Sequence, residues 1–454
     1  MIKETGFGFL QYGIFVTIIL SSLLTYNLIK GDKQLFLPGQ TTHGHHQIEL
    51  ECKACHAKSF TAGEPMQNAC MTCHGEPLEK ARDKHPKKKF TDPRNADLLA
   101  NLDATKCVTC HVEHSPEITS EHGVTLPQDF CFYCHQDIAN ERPSHEGFEF
   151  DGCGSSGCHS YHDNRALYER FLQKNIDKPS ILSKRKRLKN NGFELWKSKN
   201  SDAVILGVDQ HDGDSIAGFT ADHPVMWADS VHAKSNVNCS TCHTSGDSER
   251  LGIDLSTEVC SDCHSRQSDG FKQGLHGMRL AVGLDPMTVQ QSRLKMKPEA
   301  AHRELTCSSC HDPHQPDLKY AAVQACQGCH EDEHSQNYVG SKHAALFEDE
   351  NSGVIQSGEG VSCATCHMPR TKKGKLVYAE HNQTLNLKPN SKMLRSVCMN
   401  CHGLEYSTSA LADKSLIAKN FTGGFVDQHP SFDMVRTRML EKQRLKKERS
   451  SRSK

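Results

Sequence analysis

"CSSCHDPHQPDLKYAAVQACQGCH", residues 307–330, holds two copies of one short pattern, Cys-x-x-Cys-His, within 24 residues. The two thiols of each copy lie about one helical turn apart, and the histidine follows on the same turn. Outward from there the pattern recurs along most of the chain. Toward the N-terminus it stands at Cys52, Cys55 and His56, at Cys70, Cys73 and His74, at Cys107, Cys110 and His111, and at Cys131, Cys134 and His135. After a gap it returns at Cys239, Cys242 and His243, at Cys260, Cys263 and His264, and at Cys307, Cys310 and His311. The remaining copies are Cys326, Cys329 and His330, then Cys363, Cys366 and His367, then Cys398, Cys401 and His402. An eleventh, CGSSGCH, is stretched, with Cys153 and Cys158 ahead of His159. All 22 cysteines are thereby used.

Cys-x-x-Cys-His is the attachment motif of haem c: the thiols add to the two vinyl groups and the histidine becomes the proximal iron ligand. Zinc knuckles need two cysteine pairs per metal and no histidine after each. A disulfide framework would not place a histidine behind every second cysteine. The expected cofactor is therefore covalent haem c, eleven per chain. Only 36% of the 454 residues are hydrophobic and 6% aromatic, thin for a protein core of this length. Porphyrins supply the missing apolar surface. The formal charge of −1 leaves out the haem propionates, which make the loaded protein more acidic.

"GFGFLQYGIFVTIILSSLLTYNLI", residues 6–29, carries no charge and is long enough to span a bilayer. Lys3 precedes it and no small-x-small cleavage site follows, so the sequence predicts an uncleaved anchor in the cytoplasmic (inner) membrane. Haem c is attached outside that membrane in bacteria, which puts the haem domains in the periplasm. The expected organisation is an anchor over 1–36, a pentahaem domain over 37–165, a linker over 166–221, a hexahaem domain over 222–405, and a helix with a basic tail over 406–454. Within it, 164–174 reads as an amphipathic helix closing the first half, and the serine-rich basic end as disordered. No run of alternating β-branched residues predicts a sheet. The expected fold is mainly α, with long ordered loops organised around covalently bound haems and an N-terminal transmembrane helix.

Eighteen of the 29 histidines lie outside the motifs, enough to give each iron a second imidazole. Candidates near the first five motifs are His85, His114, His122, His145 and His162. Candidates near the other six are His232, His276, His302, His314, His343 and His381. Irons with two histidines are low-spin and closed to substrates, which suits electron transfer. The partners expected on this reading are a quinol-oxidising membrane protein or the quinol pool on one side and a periplasmic redox protein on the other. Nothing points to nucleic acid.

Two resemblances sharpen the reading. "THGHHQIELECKACH", residues 42–56, has histidines three apart ahead of the first motif, and residues 43–162 resemble the class III multihaem cytochromes. That likeness implies that His43 and His46 serve two different haems. "GVSCATCHMP" at 360–369, His381 and "VCMNCH" at 397–402 are similar to the C-terminal haem region of pentahaem nitrite reductases and octahaem hydroxylamine oxidoreductases. "SVHAKSNVNCSTCH" at 230–243 resembles the related cytochrome c-552/c-554-type domain, so the likeness covers about 222–440. In those enzymes one haem is open, and counting motifs places it at Cys260, Cys263 and His264. The resemblance implies a catalytic His334 over that iron, beside Asp332, Glu333 and Tyr338, reducing or oxidising a small nitrogen or sulfur compound. His276, twelve residues past His264, is the competing cap. The Cys-x-x-Cys-Lys motif that marks the catalytic haem of the pentahaem nitrite reductases is missing. Electron carrier is thus the first expectation and a nitrite- or hydroxylamine-type oxidoreductase the alternative.

Overall fold

The computed structural model describes residues 5–30, 33–56, 64–81, 83, 85–120, 123–142, 145–146, 161–162, 169–186, 188–243, 256–387 and 389–452. Among them the chain is mainly α, as expected: short helices and helical turns joined by ordered loops. The longest apolar element is α1 (Thr5–Lys30), of which Gly8–Lys30 is long and apolar enough to cross a membrane.

The attachment motifs make their own local structure. The N–H of the motif histidine donates to the carbonyl of the first cysteine at Cys52 (2.8 Å), Cys107 (3.0 Å), Cys131 (3.1 Å), Cys239 (2.9 Å), Cys307 (3.0 Å), Cys326 (2.9 Å) and Cys398 (2.8 Å). Each bond closes one turn and brings both thiols and the imidazole to one side of it. Two motifs lie within longer helices. Cys70–His74 lies inside α2 (Glu64–Ala81), and Cys260–His264 opens α4 (Thr257–Gln273), whose helical backbone breaks at His264 (φ −105°, ψ 38°).

By contact the chain forms two compact units, Met1–Cys70 with Lys106–Leu126, and Met71–Thr105 with Pro127–Lys454. The stretch 166–221 lies inside the second. Its helix α3 (Glu169–Asn175) buries Leu172, which with Ile176 joins a C-terminal core of Met393, Leu394, Leu404, Leu411, Phe432 and Val435. A helix of seven residues cannot stand alone in water. Its apolar side chains are covered by residues more than 200 positions on, so it does not close the N-terminal half.

Two further departures are local. Arg370–Lys373 (β1) and Leu376–Ala379 (β2) form an antiparallel ribbon with Arg370 opposite Ala379. Its two-residue turn needs a left-handed backbone, which Gly374 supplies at φ 63°. Beyond α5 (Lys342–Asn351) and α6 (Leu404–Ala412), the last helix α7 (Ser431–Arg452) stays helical through the basic tail. Ion pairs at helical spacing, Arg438 with Glu441 and Arg444 with Glu448, support it there.

Candidate functional site

In the second unit, six motif histidines each face a different histidine from outside the motifs. Ring centroids are 6.0 Å apart for His243 and His314, 6.1 Å for His264 and His232, and 6.2 Å for His311 and His381. They are 6.2 Å for His330 and His276, 6.2 Å for His367 and His334, and 6.3 Å for His402 and His343. A seventh pair, His135 with His85, is 6.3 Å apart. Two imidazoles that each place a nitrogen about 2 Å from one metal have centroids roughly 6 Å apart. The donor set therefore fits haem c: two thiols on one turn, the imidazole beside them and a second imidazole opposite.

The other ring nitrogen is held as a ligand histidine requires. Nδ1 donates to a backbone carbonyl at His85 (Tyr161, 2.8 Å), His232 (Pro313, 3.2 Å), His334 (Ile417, 2.5 Å), His381 (Ala379, 2.9 Å) and His402 (Ser180, 2.9 Å). That bond fixes the tautomer and leaves Nε2 for a metal. At His330 the group beside Nδ1 is instead a carboxylate, Asp332 Oδ2, 3.6 Å away. Asn420 Nδ2 lies 3.4 Å from His334 Nε2, at the limit of a hydrogen bond. Burial first, then neighbouring imidazoles, pushes His276, His343 and His367 down to about 4, so each is neutral at physiological pH. Neutral imidazole is the form that binds metal.

The thiols of successive motifs lie near one another. Cys242 lies near Cys260 and Cys263, and Cys260 lies near Cys307. Cys310 lies near Cys326 and Cys329, Cys326 near Cys363, and Cys366 near Cys398 and Cys401. The motifs from Cys239 to His402 thus follow one another in space in their order along the chain.

In the first unit a carboxylate gathers three donors. Glu113 accepts from His45 Nδ1 (2.7 Å), the Thr42 N–H (2.8 Å) and the Thr42 hydroxyl (3.0 Å). Burial alone would raise Glu113, but these donors outweigh it and hold the carboxyl at about 2. His46 Nδ1 donates to His43 O (2.9 Å), His111 Nδ1 to Gly123 O (3.0 Å) and His114 Nδ1 to Gly39 O (2.8 Å). The rings of His43 and His46 stack with centroids 5.7 Å apart. The thiol of Cys70 lies near those of Cys107 and Cys55.

The sequence candidates are therefore sorted by geometry. His334 lies against His367 rather than over His264, whose facing ring is His232. His276 meets His330 rather than His264. Tyr338 is buried with its hydroxyl donating to Val361 O (2.8 Å), and Asp332 caps the turn at Ser335. His162 Nδ1 sits 3.2 Å from Asp83, His145 lies in a short turn, and His302 is exposed. His56 and His74 stand on their motif turns, while His122, Cys153, Cys158 and His159 lie outside the described residues. Three histidines outside the candidate set have the opposite polarity: Nδ1 accepts an N–H at His211 (Gly213, 3.4 Å), His223 (Thr220, 3.1 Å) and His429 (Ser431, 3.3 Å). Sequence reasoning missed the carbonyls that aim the ligands. Those of Pro313, Ile417 and Ser180 lie far along the chain and carry no side-chain signal.

Comparison with known families agrees with the motifs. A family model described as cytochrome c3 matches residues 44–136 and again 231–331, and one described as cytochrome c552 matches 347–422. The chain is a multihaem c-type cytochrome, a haem protein of the electron-transfer class. The cytochrome c3 match falls twice on a run of four motifs, a repetition that extends the class III likeness beyond 43–162. No solved structure matches the chain.

Proposed function

We propose that the chain is a membrane-anchored periplasmic cytochrome with eleven covalent haems, passing electrons between the quinol pool, or a protein that oxidises it, and a periplasmic redox partner. The observation that carries this reading is the one-to-one facing of motif and non-motif histidines in the second unit. Two imidazoles per iron leave no position for a substrate. The ligand pairs on this reading are His243–His314, His264–His232, His311–His381, His330–His276, His367–His334, His402–His343 and His135–His85.

Two further observations support conduction. Thiols bind at the porphyrin edge, so neighbouring thiols of successive motifs would bring successive haem edges near one another. Five of the paired histidines are held by backbone carbonyls, so changing oxidation state need not rearrange them. The anchor would be α1, whose exposed apolar side chains are stable in lipid rather than in water. The five-motif and six-motif parts, 37–165 and 222–405, would carry electrons in succession along the path.

Electron paramagnetic resonance of the fully oxidised protein, with and without nitrite or hydroxylamine, tests this. Only low-spin signals, unmoved by either compound, are expected. A high-spin signal that shifts on adding either would sink the carrier reading and favour an oxidoreductase open at His264.

A further inference from the structure

Residues 440–452, "LEKQRLKKERSSR", carry six basic side chains, Lys442, Arg444, Lys446, Lys447, Arg449 and Arg452, against Glu441 and Glu448. All thirteen residues of this run are exposed. The helix that bears them is firmly rooted. Phe432 and Val435, at the start of α7, are fully buried, and Cys398 and Met399 of the last attachment motif pack against the same cluster. Arg436 adds an ion pair to Glu405 on α6 at 2.7 Å.

A second basic run leaves the same place. Leu182 N–H donates to Cys401 O (2.8 Å) and Lys186 N–H to Asn400 O (2.9 Å), while Ser180 O accepts from His402 Nδ1. This segment therefore lies along the last motif, and its Lys184 and Lys186 are exposed. Two cationic stretches some 250 residues apart are thus rooted at one end of the motif array, in a chain whose formal charge is only −1. A field of one sign at the end of an electron path steers a partner of the other sign.

The partner's chemistry follows from what the helix lacks. Its apolar side chains over 440–452 are Leu440 and Leu445, five positions apart and so about 140° apart around the axis. A helix that lies in a membrane surface needs an apolar stripe on one face, and this one has none. A helix polar on all sides, fixed at its root, suits the carboxylates of a folded protein.

We propose that the 440–452 helix, with Lys184 and Lys186, is a docking surface for an acidic protein at the Cys398–His402 end of the array. The proposal rests on the electron-transfer reading and names the partner class at its C-terminal end. Exposed pairs of this kind are individually weak and screened by salt, which fits a brief encounter.

The test compares the full chain in detergent with the variant Lys442→Glu, Arg444→Glu, Lys446→Glu, Lys447→Glu, using a small acidic ferredoxin as probe and calorimetry as readout. The native chain is expected to bind the ferredoxin. Affinity should fall by on the order of tenfold in the variant, and similarly for the native chain between about 20 mM and about 200 mM salt. No binding by the native chain, or equal affinity in the variant, overturns the proposal. So does protection of the helix from trypsin in phosphatidylglycerol nanodiscs but not in phosphatidylcholine ones, which would put the helix on lipid. Haem content and complete reduction by dithionite are recorded on the same samples. A variant that keeps both has kept its fold, whereas incomplete reduction of the native chain would count against the electron-transfer reading instead.

Discussion

The imidazole of His334 faces that of His367 with ring centroids 6.2 Å apart and planes at 74°, and its Nδ1 is tied to Ile417 O at 2.5 Å. A residue that family likeness would place over the His264 iron thus stands opposite another motif. His334→Ala should convert one iron from low-spin to high-spin and let it bind nitrite or hydroxylamine. His302→Ala, at an exposed position, should leave the paramagnetic resonance spectrum unchanged. A low-spin spectrum retained in His334→Ala would rule out this ligand pair.

Asp332 is the carboxylate beside Nδ1 of His330, where other ligand histidines meet neutral carbonyls. Negative charge there stabilises the oxidised iron. Asp332→Asn keeps a side chain that can cap Ser335 but removes the charge. One step of the redox titration should rise, by about 1 kcal/mol or roughly 40 mV for one electron. Spectroelectrochemistry reads this, and an unchanged titration would contradict it.

Gly403 follows the last motif where a Cβ would lie 2.5 Å from Pro179 O and 2.7 Å from Lys178 O. Gly403→Ala should push the 178–186 segment off the motif at a cost of about 1–3 kcal/mol. Trypsin should then cut faster at Lys184 and Lys186, with haem still attached. Cutting at the native rate would show that the backbone absorbs the methyl.

Phe432 is fully buried in the C-terminal core. Phe432→Ala should cost about 3–5 kcal/mol and lower the thermal midpoint. Amide exchange over 431–440 should accelerate while the reduced absorption spectrum holds. A helix that keeps its protection would show that the core does not anchor it.

Much of the site is legible in the chain's local patterns. The cysteines and histidine of each motif sit within one turn, so their arrangement is fixed by local backbone geometry. The second histidines are legible as a set but not as pairs. His232 stands just ahead of the 239–243 motif yet faces His264, and His276 follows the 260–264 motif yet faces His330. Proximity along the chain misleads here because each motif turn exposes one side only, and the loop that reaches that side comes from elsewhere.

The cofactor chemistry, the mainly helical character and the apolar N-terminal helix follow from the order of residues alone, because each depends on residues within a few turns of one another. Which imidazoles meet, how the motifs follow one another in space and what covers α3 are settled by tertiary packing. Those depend on contacts tens to hundreds of residues apart, among them His334 with Ile417 and His402 with Ser180. Backbone carbonyls make those contacts, and every residue type carries one.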